Sequence, residues 1–176
     1  MPFNDFYVMN TTSQDPVETK VYLLWDDQNL YVGYENFDGD MGNMIVGDVI
    51  NGWWASGIDD SVETHLAGSL EGLWRGFFAN PNEVKFIYNK PAGAPLGFNA
   101  EPVDWAVRSI RMGDRWNLVE AIPFSSIEVD VNVSKTLYGL FFRNYHENSI
   151  YLSWKGGAPW TAAGFSPVKL IESVAP

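Results

Sequence analysis

The chain has 176 residues, with 11 Lys and Arg against 22 Asp and Glu and a formal charge of −11. That balance disfavours nucleic acid and anionic membrane surfaces, both of which call for basic side chains. The absence of cysteine excludes disulfides, thiolate metal sites and cysteine nucleophiles. A length of this order suits one domain, and residues 1–176 show no linker, repeat or low-complexity segment that would divide it. Aromatic residues make up 15% of the chain, including 8 Trp, a load that belongs either to a very aromatic core or to an aromatic binding surface. No run of about 18 apolar residues is present to span a bilayer. Met-Pro-Phe-Asn-Asp-Phe lacks the basic and apolar regions of a signal peptide, so a secreted module is expected to have been excised from a larger precursor.

The first strong element is a hairpin. Thr19–Trp25 is a run of strand-forming residues, Asp26-Asp27-Gln28-Asn29 turns, and Leu30–Asn36 returns. Short runs rich in Val, Ile, Tyr, Phe and Trp follow at Ser61–Leu66, Leu73–Ala79, Val84–Tyr88, Asp104–Met112, Trp116–Ile122, Leu137–Tyr145, Ile150–Trp154 and Ser166–Ile171. About ten strands with turn signals between them predict an all-β fold, an antiparallel β-sandwich of two sheets of immunoglobulin or jelly-roll type. Phe37–Asp59 and Asn89–Pro102 read as long loops, a length uncommon unless the loop works.

Catalytic motifs are missing. The sequence has no Gly-x-Ser-x-Gly elbow, no phosphate-cradling glycine loop and no His-Glu-x-x-His, and its 2 histidines, His65 and His146, stand apart. The tryptophans divide. Trp25, Trp105 and Trp116 lie inside apolar runs and read as core. Trp53, Trp54, Trp154 and Trp160 lie in loops or at strand ends, where a ring either plugs the core or packs on the apolar face of a sugar. Asp38, Asp40, Asp59 and Asp60 crowd a Gly-rich loop, a composition that suits calcium and equally suits ordinary turns. Glu120 and Arg143 each interrupt an apolar strand; a buried charge needs a partner, and the two are expected either to pair inside the sandwich or to point into a site.

The order of "VYLLWDDQNLYVGYENFD", "DDSVETHLAG", "WNLVEAIPFSSI", "LYGLFFRNY" and "YLSWKGGAPWTAAGFSPVKLI", spanning Thr19 to Ile171, resembles the family 9 carbohydrate-binding modules and their DOMON-like β-sandwich relatives. The resemblance implies a non-catalytic module that grips xylan- or cellulose-type glycans, in some cases at chain ends, between two Trp rings. It implies calcium in some members and no other cofactor. It carries Trp54, with Trp53 as competitor, onto the first ring, and Trp160, with Trp154 behind it, onto the second. Glu63, Arg143 and Asn144 fall where such modules bond the ligand. His65 departs from the pattern by standing where an apolar residue is usual. The partners implied are a polysaccharide or oligosaccharide and a covalently linked glycoside hydrolase, with the module a monomer in an extracellular protein. Two alternatives stand beside this reading. One is a structural or interaction module whose aromatics merely pack. The other is a haem-binding redox domain using Met41 or Met44 with His65 or His146.

Overall fold

The computed structural model describes residues 1–48, 59–90, 103–145, 150–158 and 161–171. Its strands are β1 (Phe6–Val8), β2 (Thr19–Trp25), β3 (Asn29–Phe37), β4 (Ser61–Ala67), β5 (Trp74–Ala79), β6 (Lys85–Lys90), β7 (Ala106–Arg111), β8 (Arg115–Pro123), β9 (Thr136–Tyr145), β10 (Ile150–Trp154) and β11 (Ser166–Lys169). They form a seven-stranded sheet in the order β1-β10-β9-β4-β5-β6, with β11 also on β9, and a four-stranded sheet in the order β2-β3-β8-β7. Every ladder is antiparallel. Among the described residues no helix is long and apolar enough to cross a membrane.

The two-residue period of a strand assigns the faces. Val32 and Tyr34 of β3, Trp116, Leu118 and Ile122 of β8, Val62 and Leu66 of β4, Phe77 of β5 and Phe141 of β9 meet between the sheets as one buried core. The predicted antiparallel sandwich is the observed fold. β1 is the strand that the sequence did not announce. It is three residues long and exists because β10 offers it a paired edge, with Phe6 opposite Trp154 and Val8 opposite Leu152. Trp105 and Trp116 lie in the core, as their apolar runs predict, while Trp25 packs partly buried at its edge.

Glu120 and Arg143 do not pair, contrary to one of the two expectations for them. Glu120 sits in mid-strand on β8 with 0% exposure and takes a hydrogen bond from the Thr64 hydroxyl, which also meets the Tyr34 hydroxyl at 2.7 Å. Arg143 is engaged elsewhere. It donates through Nη1 to the Phe37 carbonyl at 2.7 Å and lies 3.6 Å from the Asp38 carboxylate. Its guanidinium also lies 5.1 Å from the Tyr145 ring centroid. The contrast is in the counter-charges. Burial pulls the Arg143 guanidinium down from its usual value, but Asp15, Asp38 and Asp60 pull it back. Burial pushes the Glu120 carboxyl up to about 8, and the Thr64 hydrogen bond offsets only part of that.

The folded chain therefore keeps a proton on Glu120 between the ordinary carboxyl value of 4.5 and about pH 8, where an unfolded chain has released it. The native state binds more protons across that window, so stability falls as pH rises through it. We expect the urea midpoint to drop between pH 5 and pH 8, and Glu120→Gln to flatten that drop and raise the midpoint at pH 8. Identical pH dependence in wild type and Glu120→Gln would show that Glu120 is not the group responsible.

Candidate functional site

Strand β4 lies between β9 and β5 in the large sheet. With Val62, Thr64 and Leu66 facing the core side, Ser61, Glu63, His65 and Ala67 face outward. The ladders bring to the same face Asn144 beside Ser61, Phe142 beside Glu63, and Phe78 and Gly76 from β5. Tyr88 of β6 stands opposite Gly76.

These side chains form a connected polar network. Asn144 Nδ2 donates to Glu63 Oε1 at 2.7 Å and to Ser61 Oγ at 3.0 Å. His65 Nε2 lies 2.9 Å from Glu63 Oε2, and the Tyr88 hydroxyl lies 3.0 Å from His65 Nδ1. Ser61, His65 and Asn144 are buried, whereas the Glu63 side chain keeps 12% of its surface open to solvent. A carboxylate has about four lone-pair sites. Each Glu63 oxygen accepts one bond from this network, so each retains acceptor capacity, and Glu63 is the member through which the network meets solvent. Burial, and then the charge of Glu63, push the Tyr88 phenol well up, so it stays protonated.

Apolar residues border the network. Ring centroids of Phe78 and Phe142 lie 5.7 and 5.2 Å from the His65 ring, both edge-on. Next to them Ala67, Trp74, Leu140, Phe142 and Phe165 make a second buried cluster, with the Trp74 and Phe165 rings 4.9 Å apart. Gly76 is indispensable to this packing, because a Cβ there would stand 2.2 Å from Tyr88 Cε1 and 3.0 Å from His65 Nδ1. The Tyr88 ring lies in the space that any other residue would fill.

The sequence-predicted site residues separate into groups. Glu63 and Asn144 come together on the outer face. Arg143 does not join them: adjacent residues of a strand point to opposite sides, and Arg143 faces inward with 0% exposure. Trp154 is likewise no open ring. It is 4% exposed and lies in the core, 4.9 Å from Phe3 and 5.6 Å from Phe141 between ring centroids, because β10 pairs it with Phe6. Trp53, Trp54 and Trp160 lie outside the described residues, as does His146. Both ring nitrogens of His65 are taken by Glu63 and Tyr88, which leaves it no nitrogen for a haem. Met41 and Met44 are partly buried against the core.

The four loop aspartates brace the chain. Asp38 Oδ1 accepts the Asp40 N–H at 2.9 Å, and Asp40 Oδ2 accepts from Asn43 at 2.7 Å. Asp60 Oδ2 accepts the Ile45 N–H at 2.7 Å. Asp59 Oδ2 accepts the Gly47 N–H and Asn80 Nδ2, each at 3.0 Å. Among the described residues no three acidic or histidine side chains converge as a metal site would require. The residues that sequence reasoning missed are Ser61, Tyr88 and the role of His65. A polar residue at every outward position from Ser61 to His65 is a signal that the sequence carries. The placement of Tyr88 depends on the β5–β6 register, which it does not.

The sequence matches no family model and no curated protein. Solved structures do match. A proposed carbohydrate-binding protein from Bacteroides uniformis is 16% identical with a TM-score of 0.68, over 94% of this chain and 86% of its own. A family 9 carbohydrate-binding module from Caldicellulosiruptor kristjanssonii in complex with glucose is 16% identical with a TM-score of 0.64, over 98% of this chain and 87% of its own. The fold is that of the family 9 carbohydrate-binding modules. A structure of such a module from the same organism in complex with cellotriose agrees, at 15% identity and a TM-score of 0.63, over 98% of this chain and 89% of its own. The likeness to family 9 modules thus extends over the whole sandwich, including the strands that carry the Glu63 network.

Gly76→Ala tests how that network is built. We expect it to lower stability by about 1–3 kcal/mol through overpacking and to shift the NMR signals of the His65 ring. Unchanged stability with an unchanged His65 environment would show that the Tyr88 ring does not rest on Gly76.

Proposed function

We propose that this chain is a non-catalytic carbohydrate-binding module whose ligand is a neutral glycan of the cellulose or xylan class. The observation that carries the reading is the Glu63 carboxylate, held by Asn144 and His65 on the outer face of the large sheet with acceptor capacity to spare. The fold supports it, since similar structures were solved with glucose and with cellotriose. A sugar hydroxyl is a donor that an ionised carboxylate binds well. Trp54, with Trp53 as the competing choice, and Trp160 would stack on the two faces of one sugar unit. Their place in chain order beside β4 and β10 favours this arrangement. The chain would act as a monomeric targeting module of an extracellular glycoside hydrolase. The net charge of −11 favours an uncharged ligand over a polyanion.

Titration of tryptophan fluorescence with glucose, cello- and xylo-oligosaccharides and their alditols tests the reading. A saturable shift supports it, and its loss with alditols marks recognition of a reducing end. Absence of any shift turns the reading to a packing module. Trp54→Ala should weaken binding by about ten- to a hundredfold with the fold intact, since burying an aromatic face contributes about 1.5–3 kcal/mol. Glu63→Gln should weaken it at least about tenfold, because the amide nitrogen must face a donor on Asn144 or His65. Wild-type affinity in Glu63→Gln would remove Glu63 from the site.

A further inference from the structure

The network around Glu63 has a direction. Ionised Glu63 only accepts, so Asn144 and His65 must each bring it a proton. Asn144 spends both Nδ2 protons, one on Glu63 and one on Ser61. His65 must therefore carry its proton on Nε2, 2.9 Å from Glu63 Oε2. A neutral imidazole then has a bare Nδ1 that needs a donor. The Tyr88 hydroxyl, 3.0 Å away, is such a donor. Phe78 and Phe142 flank the ring edge-on, and His65 is 1% exposed, so water does not substitute for Tyr88. Gly76 makes room for the phenol.

We propose that Tyr88 and His65 are a positioning pair for the ligand site: Tyr88 fixes the His65 tautomer, and His65 fixes the Glu63 carboxylate as a double acceptor for two neighbouring hydroxyl groups of the sugar. This rests on the sugar-binding reading of Glu63. Neither Tyr88 nor His65 touches the ligand. With one oxygen oriented by β9 and the other from within β4, the carboxylate cannot rotate without breaking a buried bond. The site accordingly selects ligands that present two adjacent O–H donors, and it disfavours sugars in which either hydroxyl is methylated or removed.

The test compares wild type, Tyr88→Phe, His65→Leu and His65→Gln by calorimetric titration with cellotriose. It also reads the ring-nitrogen NMR shifts of His65 without ligand, at a pH well above the usual imidazole value. Wild type should show a protonated Nε2 and a bare Nδ1. Tyr88→Phe removes the Nδ1 donor and should populate the second tautomer, with affinity falling about three- to tenfold, the effect of one hydrogen bond. His65→Leu should lose about tenfold or more. His65→Gln, whose amide N–H reaches the place of Nε2, should recover to within about threefold of wild type. Urea midpoints identify a variant that merely unfolds, and Tyr88→Phe, which removes one oxygen, keeps the test decisive if His65→Leu does so. An unchanged tautomer and affinity in Tyr88→Phe, or wild-type affinity in folded His65→Leu, overturns the proposal. If wild type binds no sugar, the preceding reading fails by itself. The NMR comparison then decides separately whether Tyr88 fixes His65: a tautomer shift in Tyr88→Phe supports that step, and no shift overturns it.

Discussion

Strand β4 separates two polar systems by the thickness of one backbone. On its inner side Thr64 serves Glu120 and Tyr34 in the dry space between the sheets. On its outer side Glu63 and His65 join Asn144 and Tyr88. The pleat keeps the two apart, because a slip of one residue would exchange every side chain between the faces. Such a slip would drive Glu63 and His65 into the core and turn Val62 and Leu66 outward. The apolar residues on either side of Thr64 therefore fix the register that presents Glu63.

A second constraint acts at one end of the interior. Arg143 reaches from β9 to the last carbonyl of β3 and draws on the charges of Asp15, Asp38 and Asp60. Removing water from an arginine is costly unless opposite charge comes with it. Here the carboxylates come from the segment before β2, the residue after β3 and the residue before β4. The guanidinium thus ties β9 and the start of β4 in the large sheet to the segment before β2 and the end of β3 in the small one. It does from inside what the loop aspartates do with backbone N–H groups, holding residues 38–48 against the start of β4.

Much of this architecture was legible. The predicted bounds of Thr19–Trp25 and Ile150–Trp154 are the observed ones. β1 was not legible, because three residues carry no period and its stability comes from a partner far along the chain. Glu63 and Asn144 were legible through the family-like motifs around them. Arg143 was assigned to their side although strand parity alone sets it opposite Asn144. Trp154 read as a strand end, where either burial or exposure is ordinary, and the pairing with Phe6 decided the matter. Tyr88 could not be assigned, since its strand β6 lies two along from that of Glu63 and its role depends on standing opposite Gly76 of the strand between them.

Strand β9 is paired along nearly its whole length on both sides. β4 covers one edge, while β11 and β10 divide the other, at Thr136–Gly139 and Phe142–Tyr145. Its amides and those of β4 belong among the last in the molecule to exchange with solvent, since they open only when several ladders part at once. Asn144 and Glu63 stand on these two strands. The Glu63 carboxylate is thus mounted on doubly paired strands, and a hydroxyl group held there, as proposed, would cost that part of the site little ordering entropy.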